Sequence, residues 1–465
     1  MKFILSTLTA ALILAGCASA PAIDPSAIPP TPVTFKEGDG RWTVAPPAES
    51  QPRGEWWKAF SDPLLDGLIA RADAGNTSIR VAAARLTQAR ALVRSANADR
   101  LPQLGLGASA QRVEGIVAGT GGPARSLFTA GANASYEADL FGRIGRAVDA
   151  ASLDAKSSEA LLQSTHLLVQ AEVAQAYFAL RALDEERNLV RRTVSAYRDT
   201  LELTERRYRA GDVAELDVAR ARTEVASTES EAFALDRRRA ELEHAIAVLV
   251  GEPASTFGLG DAQWQSALPV IPAGVPGTVL TRRPDVSAAQ NAMLAAQARV
   301  GAAKAAWFPS VALTANGGQA STDVGDLFKW SARAWGVGAL LSLPVFDGGK
   351  REAGIQFASG DMEAAVMRYR EQVLVAFQDV EDQLSALHYL AEQADAQERA
   401  VASSTRSTAL SNARYRSGYV SQLDLLDAQR SELRNRREAV QVRGAQYQAT
   451  VGLVRALGGG WEVRS

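Results

Sequence analysis

Residues 128–139 read FTAGANASYEAD. Phe128, Ala130, Ala132, Ala134, Tyr136 and Ala138 fall on one side of an extended chain, and Thr129, Gly131, Asn133, Ser135, Glu137 and Asp139 on the other. A period of two predicts a strand with one apolar and one polar face. Leu104, Leu106, Ala108 and Ala110 alternate in the same way, as do Val311, Leu313 and Ala315, and Trp335, Val337, Ala339, Leu341 and Leu343, with Leu340 out of phase. The predicted strands cover about 103–112, 127–139, 310–319 and 334–345.

Elsewhere the period changes to three and four. Val190, Val194, Tyr197, Leu201, Thr204 and Tyr208 form one seam, and Val218, Ala221, Val225, Thr228, Ala232, Leu235, Arg239, Leu242, Ile246 and Leu249 another. Such spacing predicts long helices packed as coiled coils, with Arg239 the one charge in the second seam. A continuous helix over residues 147–209 would span about 95 Å at 1.5 Å per residue. Between the seams, Gly211 suits a helix end that needs φ > 0, and Asp212 with Glu215 three residues on suits a capping box for the next helix. Gly418, Ser421 and Asp424 repeat the arrangement with a weaker box.

The repetition has a constant offset. RYRAGDVAELDVARA (207–221) and RYRSGYVSQLDLLDA (414–428) are spaced so that Tyr415 − Tyr208 and Gly418 − Gly211 both equal 207. Pro102 and Pro309, Val173 and Val380, and Asn76 and Arg283 keep the same offset. Two structural repeats are therefore predicted, each in the order helix, strand, strand, long helix, tight turn, long helix. The predicted organisation is a leader at 1–16, an extended Pro/Ala-rich tether at 17–52, a first repeat at 53–250 with its tip near 210–213, a linker at 251–282, a second repeat at 283–455 with its tip near 417–421, and a tail at 456–465.

Composition narrows the class. The chain is 47% hydrophobic and 22% charged, which excludes disorder by composition. Its net charge of −2 gives no basic excess, so no nucleic-acid partner is expected. The Arg runs at 237–239 and at 434, 436 and 437 are interleaved with Glu and read as solvated helix faces. The single cysteine, Cys17, follows Lys2 and an apolar run from Phe3 to Ala15, the length of a signal-peptide core. Leu14-Ala15-Gly16-Cys17 resembles a bacterial lipoprotein lipobox, which implies cleavage before Cys17 and its acylation. Ala18 after it implies sorting to the outer membrane.

No later stretch approaches the roughly 18 uninterrupted apolar residues of a spanning helix. Each predicted strand is near the 9–11 residues, roughly, that cross a bilayer at a tilt. Four strands are too few to close a barrel, which starts at about eight, and open edges are not tolerated in lipid. If the strands span a membrane, the barrel must be shared between chains. Two soluble hairpins packed on helices remain the alternative on pattern alone.

WWKAFSDPLLDGLI (56–69), RRPDVSAAQNAMLAAQARVGAAKAAWFPSVAL (282–313), LPVFDGGKRE (343–352) and YRSGYVSQLDLLDAQRSEL (415–433) resemble the outer-membrane efflux channels of the TolC/OprM/NodT type, lipoprotein branch. The resemblance covers essentially the whole mature chain. It implies a mainly helical fold with transmembrane strands: a homotrimer in which four strands per chain complete a shared twelve-stranded barrel above a long helical periplasmic tube. It implies a passive, non-enzymatic duct in the outer membrane, partnered by a periplasmic adaptor and an inner-membrane pump, that exports drugs or other small molecules. A non-conducting lipoprotein scaffold with coiled-coil hairpins is the alternative function.

By the same resemblance Tyr208, Arg209, Gly211, Asp212, Tyr415, Arg416, Gly418 and Tyr419 form adaptor-contacting tips, and Leu423, Asp424 and Asp427 form a gate. Asp424 and Asp427 share a helix face, and a ring of such carboxylates would favour cations and raise some pKa values. Their first-repeat counterparts are Asp217 and Arg220. A tyrosine–arginine latch known in the family has its tyrosine at Tyr415, but Val420 stands where its arginine belongs, leaving Arg416 as a substitute. His166, His244 and His388 share no metal-ligand spacing, Gly348-Gly349-Lys350 lacks the Ser/Thr of a phosphate loop, and no nucleophile–base pair is evident. No catalytic residue, metal or cofactor is expected.

Overall fold

A computed structural model describes residues 21–38, 54–114, 124–269, 271, 279 and 282–459. Cys17 and the leader lie outside these residues. In chain order the elements are α1 (Pro63–Gly75), α2 (Thr77–Ala98), β1 (Gln103–Val113), β2 (Arg125–Ala138), α3 (Arg143–Ala210), α4 (Glu215–Val250), α5 (Pro284–Ala305), β3 (Ser310–Ser321), β4 (Arg333–Ser342), α6 (Lys350–Arg416) and α7 (Gln422–Ala456). The starts of α2 and α5, β1 and β3, α3 and α6, and α4 and α7 are each 207 apart (284 − 77, 310 − 103, 350 − 143, 422 − 215). The chain is mainly helical and duplicated. No described helix is long and apolar enough to cross a membrane.

Contacts group the chain into two units, with α2, α3, α5 and α6 contributing to both. Of the described residues, the first contains 21–29, 84–114, 124–160 and 288–372. Its centre is one antiparallel sheet in the order β1-β2-β3-β4. The register places Leu106 opposite Ala132, Ala132 opposite Gly317, and Gly317 opposite Trp335, so the apolar positions of all four strands share one face. On the other face Gly105, Asn133, Asn316 and Gly336 lie side by side. A Cβ on Gly105 would sit 2.8 Å from Asn133 Oδ1 and one on Gly336 3.0 Å from Asn316 Oδ1, so each amide occupies space that only glycine leaves. β4 ends at Ser342, three residues short of the expected 345, because Pro344 has no N–H to extend the ladder.

The second unit contains, of the described residues, 30–38, 54–83, 161–269, 271, 279, 282–287 and 373–459. Its core gathers Trp56, Trp57, Phe60, Leu65, Ile69, Phe178, Tyr447 and Val451. The WWKAFSDP stretch is structural. Its first residues form a short 3₁₀ turn that buries Trp56, Trp57 and Phe60. Asp62 then caps α1, accepting from the Leu64 and Leu65 amides, with Pro63 at the first helical position. The other Asp62 oxygen accepts from Tyr177 Oη and Ser266 Oγ, both at 2.7 Å.

A buried ion cluster fastens the segment after α4. The Asp184 side chain, 2% exposed, accepts from Arg181 at 2.9 Å, Arg187 at 3.0 Å and Arg239 at 2.7 Å. Arg181 and Arg239 also donate to the carbonyls of Gly260 and Leu259. Arg239, the charge that interrupts the second seam, is therefore a tie between helix and linker.

The segment expected to be an extended tether is docked where it is described. In the first unit Gln297 Nε2 donates to Pro21 O and Arg370 Nη1 to Ala27 O. In the second, Phe35 is buried beside Val279, Val380 and Leu453, and the Lys36 and Glu37 amides donate to the two oxygens of Glu381. The Pro/Ala composition hid an aromatic anchor, Phe35. Burying a Phe side chain is worth about 1.5–3 kcal/mol, enough to dock a short segment. The remainder of the tether, 39–52, falls outside the described residues.

Candidate functional site

Two regions stand apart as candidates: the sheet in the first unit and the two helical turns in the second. On the apolar face of the sheet Leu106 is 90% exposed, Trp335 80% and Val337 77%. No side chain of the described residues covers these positions. An apolar face across four strands exceeds what a water-facing monomer usually carries. The outer edges of β1 and β4 have no strand partner among the described residues. Each exposes a row of backbone donors and acceptors about ten residues long, a template for another strand.

The helical turns are built alike. Gly211 (φ +83°) and Gly418 (φ +78°) end α3 and α6 in the left-handed conformation. In each, two amides close the helix end: Gly211 to Tyr208 O and Asp212 to Arg207 O in one, Gly418 to Tyr415 O and Tyr419 to Arg414 O in the other. They differ in how the next helix begins. The expected Asp212–Glu215 capping box is absent, because α4 starts two residues later than that box requires, after an uncapped Ala214. The Asp212 amide instead closes the preceding helix. The expected weaker box forms in full: Ser421 Oγ accepts from the Asp424 amide, and the Asp424 carboxylate accepts from the Ser421 amide at 3.0 Å and hydroxyl at 2.7 Å.

Those contacts change the reading of the two aspartates. The Asp424 carboxyl is held below its usual range by the Ser421 hydroxyl and then the Ser421 amide. A pKa lowered by folding adds stability that is complete above the unfolded value and is lost as pH falls through the folded one. The protection of the Asp424 and Leu425 amides, their exchange relative to the unstructured rate at each pH, is therefore expected to fall below about pH 4, the ordinary carboxylate range. Ser421→Ala should remove that loss of protection, and protection that is unchanged from neutral to acid pH in the wild type would show that the box contributes nothing. Asp427 faces Arg430 at 3.5 Å, and Arg430 also pairs with Glu224 on α4.

Of the sequence-predicted tip residues, Tyr419 is 83% exposed, and Tyr208, Arg209, Gly211, Asp212, Arg416 and Gly418 are exposed as well. Leu423, Asp424 and Asp427 are also exposed. Tyr415 is the exception at 3%. Its hydroxyl lies 3.2 Å from Thr204 Oγ1, Gln422 Nε2 reaches the same Thr204 at 3.4 Å, and the Arg207 guanidinium sits 4.7 Å over its ring. Arg207 also donates to the Tyr415 and Arg416 carbonyls. The two turns are thus tied within one chain through Arg207, whereas Arg416 contributes only its carbonyl. Thr204, Arg207 and Gln422 were not foreseen. Thr204 belongs to the first seam, but nothing local marks it as the partner of a tyrosine 211 residues away.

No described cluster of His, Cys, Asp or Glu is suited to holding a metal ion. The family described as Outer membrane efflux protein matches the chain twice, over residues 68–252 and 275–459, again 207 apart (275 − 68 and 459 − 252). The chain is 33% identical over 468 residues to the pyoverdine export outer membrane protein OpmQ of Pseudomonas aeruginosa, covering 98% of this chain and 97% of that one. It is 34% identical over 471 residues to the antibiotic efflux pump outer membrane protein ArpC of Pseudomonas putida, covering 99% and 96%. The solved outer-membrane channel OprN superposes with a TM-score of 0.88 at 30% identity, over 96% of this chain and all of that one. The twofold match, the sheet with two unpaired edges and the paired helical turns agree: the chain is a non-enzymatic outer-membrane efflux channel and belongs to the outer membrane efflux protein family.

Proposed function

We propose that three copies of the chain form one passive exit duct, their four-stranded sheets closing edge to edge into a twelve-stranded barrel. The observation that carries this is the sheet itself, whose apolar face is uncovered and whose edges β1 and β4 are both open. Pairing β4 of one copy with β1 of the next satisfies every edge, as lipid requires. The polar face, with Asn133 and Asn316 side by side, then lines the passage. The tips, with Tyr208, Arg209, Gly211, Asp212, Arg416, Gly418 and Tyr419 at their surface, are the site for a periplasmic adaptor, which links the duct to an inner-membrane pump. Tyr415 acts from inside, holding the second tip against the first. Leu423, Asp424 and Asp427 narrow the entrance as a gate, and the second hairpin is the one that moves. OpmQ and ArpC are named for pyoverdine export and antibiotic efflux. Drugs or other small molecules are the corresponding cargo here, with selection left to the pump.

Conductance in planar bilayers tests the duct and its gate together. The wild-type assembly is expected to give a small or flickering current that grows several-fold in Asp424→Ala/Asp427→Ala. Equal currents would place the gate elsewhere. No current from either, with insertion established, would favour a non-conducting scaffold.

Acylation of Cys17 anchors the chain in the outer membrane. Labelling with an alkyne-tagged fatty acid should mark the wild type and not Cys17→Ser, and trimers should form in both. A labelled Cys17→Ser protein would exclude this anchor site.

A further inference from the structure

In the second unit a cavity of about 200 Å³ lies between α3, α6 and α7. Three of the residues that line it carry buried polar atoms with no hydrogen-bond partner among the described residues: Tyr197 Oη, Gln429 Oε1 and Arg436 Nε. Native interiors leave few such atoms unpaired, and three on one cavity call for an occupant that the chain does not supply. Tyr197 is 2% exposed and comes from the first repeat, whereas Gln429 and Arg436 come from the second.

The lining defines the chemistry of that occupant. Arg436 Nη2 is paired with Glu432 at 2.6 Å, and Glu432 also accepts from Thr405, so that carboxylate is satisfied and Arg436 Nε remains as a donor. Arg192 adds a second cation at the exposed rim, so the lining itself carries +1 from Arg192, Arg436 and Glu432, while Glu224, Glu231 and Arg430 act on Tyr197 from outside the lining and offset that charge. Burial pushes the Tyr197 phenol up to about 12, so it carries its proton at neutral pH and can donate. The Gln429 carboxamide can turn its NH₂ inward. Leu189, Ala196 and Leu433 give the remainder of the wall an apolar character. The volume is below the roughly 300–1,000 Å³ of sites for drug-sized ligands.

From these features we infer that the cavity is a binding site for a small carboxylate with an apolar body, such as a single-ring or short-chain acid. The carboxylate takes the Arg436 Nε–H and the Tyr197 hydroxyl, Arg192 supplies charge at the mouth, and the apolar body lies against Leu189 and Leu433. The occupant would bridge the two hairpins one heptad from the Thr204–Tyr415 contact (204 − 197 = 7).

The test uses the full-length assembled protein in detergent. Crystals soaked in 4-bromobenzoate are expected to show bromine anomalous density in this cavity. The carboxylate should lie about 2.7–3.2 Å from Arg436 Nε and Tyr197 Oη. In solution, calorimetry with benzoate should show binding that weakens about tenfold in Tyr197→Phe, the loss of one charge-assisted hydrogen bond. Tyr197→Phe keeps the ring and Arg192→Ala lies at the exposed rim, so both should retain the wild-type unfolding midpoint, and Arg192→Ala should also bind more weakly. Water alone in the soaked cavity, a side chain of a neighbouring copy filling it, or equal binding of the neutral 4-bromobenzamide would each overturn the assignment.

Discussion

Leu106→Arg is expected to abolish the folded outer-membrane assembly, whereas Ser109→Arg, three residues along the same strand, should leave it largely intact. Leu106 lies on the apolar face, opposite Ala132 of β2, and none of the described residues covers it. In the proposed barrel that face meets lipid, where an arginine near the middle of the bilayer costs about 2–4 kcal/mol per chain. Three chains share one barrel, so the cost is incurred three times in a single assembly. Ser109 projects from the opposite face, where its hydroxyl meets Thr129 Oγ1 at 2.8 Å. An arginine there would enter a water-filled passage at the loss of one exposed hydrogen bond. The measurement is the fraction of protein running as heat-modifiable trimer in purified outer membranes. Equal trimer yields for the two variants would mean that the exposed apolar face does not meet lipid.

Asp184→Ala should be the most destabilising change in the helical unit. Its carboxylate is the common partner of Arg181, Arg187 and Arg239. Arg187 keeps Asp236 and Asp261, and Arg239 keeps Glu243 and Asp261. Arg181, 1% exposed, would keep no carboxylate and retain only neutral partners, the Gly260 carbonyl and the Tyr177 ring 5.0 Å away. Removing one partner from a buried ion pair costs about 3–5 kcal/mol, because the charge left behind is neither solvated nor matched. A lower unfolding midpoint is expected, with faster protease cleavage in the 251–264 segment that these arginines fasten. Asp184→Asn should fall between the two, since it keeps the volume and one acceptor. An Asp184→Ala protein within about 1 kcal/mol of wild type would show that the cluster is better hydrated than its burial implies.

The architecture was largely legible in the sequence because its carriers are local. Alternation over 128–138 sets the faces of β2 without reference to any other segment. The offset of 207 survives in the starts of four pairs of elements and in the turn glycines Gly211 and Gly418. Period and offset are properties of nearby residues, and backbone geometry converts them directly into strands, helices and turns. Element ends were less legible where a short-range rule competed with another. The Asp212 amide went to closing α3, so its capping box did not form, and the less promising Ser421–Asp424 box did.

The tertiary structure settled which of two look-alike residues is buried and what each charge faces. Tyr208 and Tyr415 occupy equivalent places in the repeat, yet one is 44% exposed and the other 3%. The difference comes from Thr204 and Arg207, which reach Tyr415 only after both hairpins have formed, with Gln422 bonded to the same Thr204. Arg239 breaks an apolar seam on paper and is held inside by Asp184, 55 residues away, and by the Leu259 carbonyl. Phe35 looks like a stray aromatic in a tether until Val380 and Leu453 close around it. Pattern along a chain encodes the geometry of neighbours, whereas burial and pairing depend on side chains delivered from distant segments, and only the packed fold brings those together.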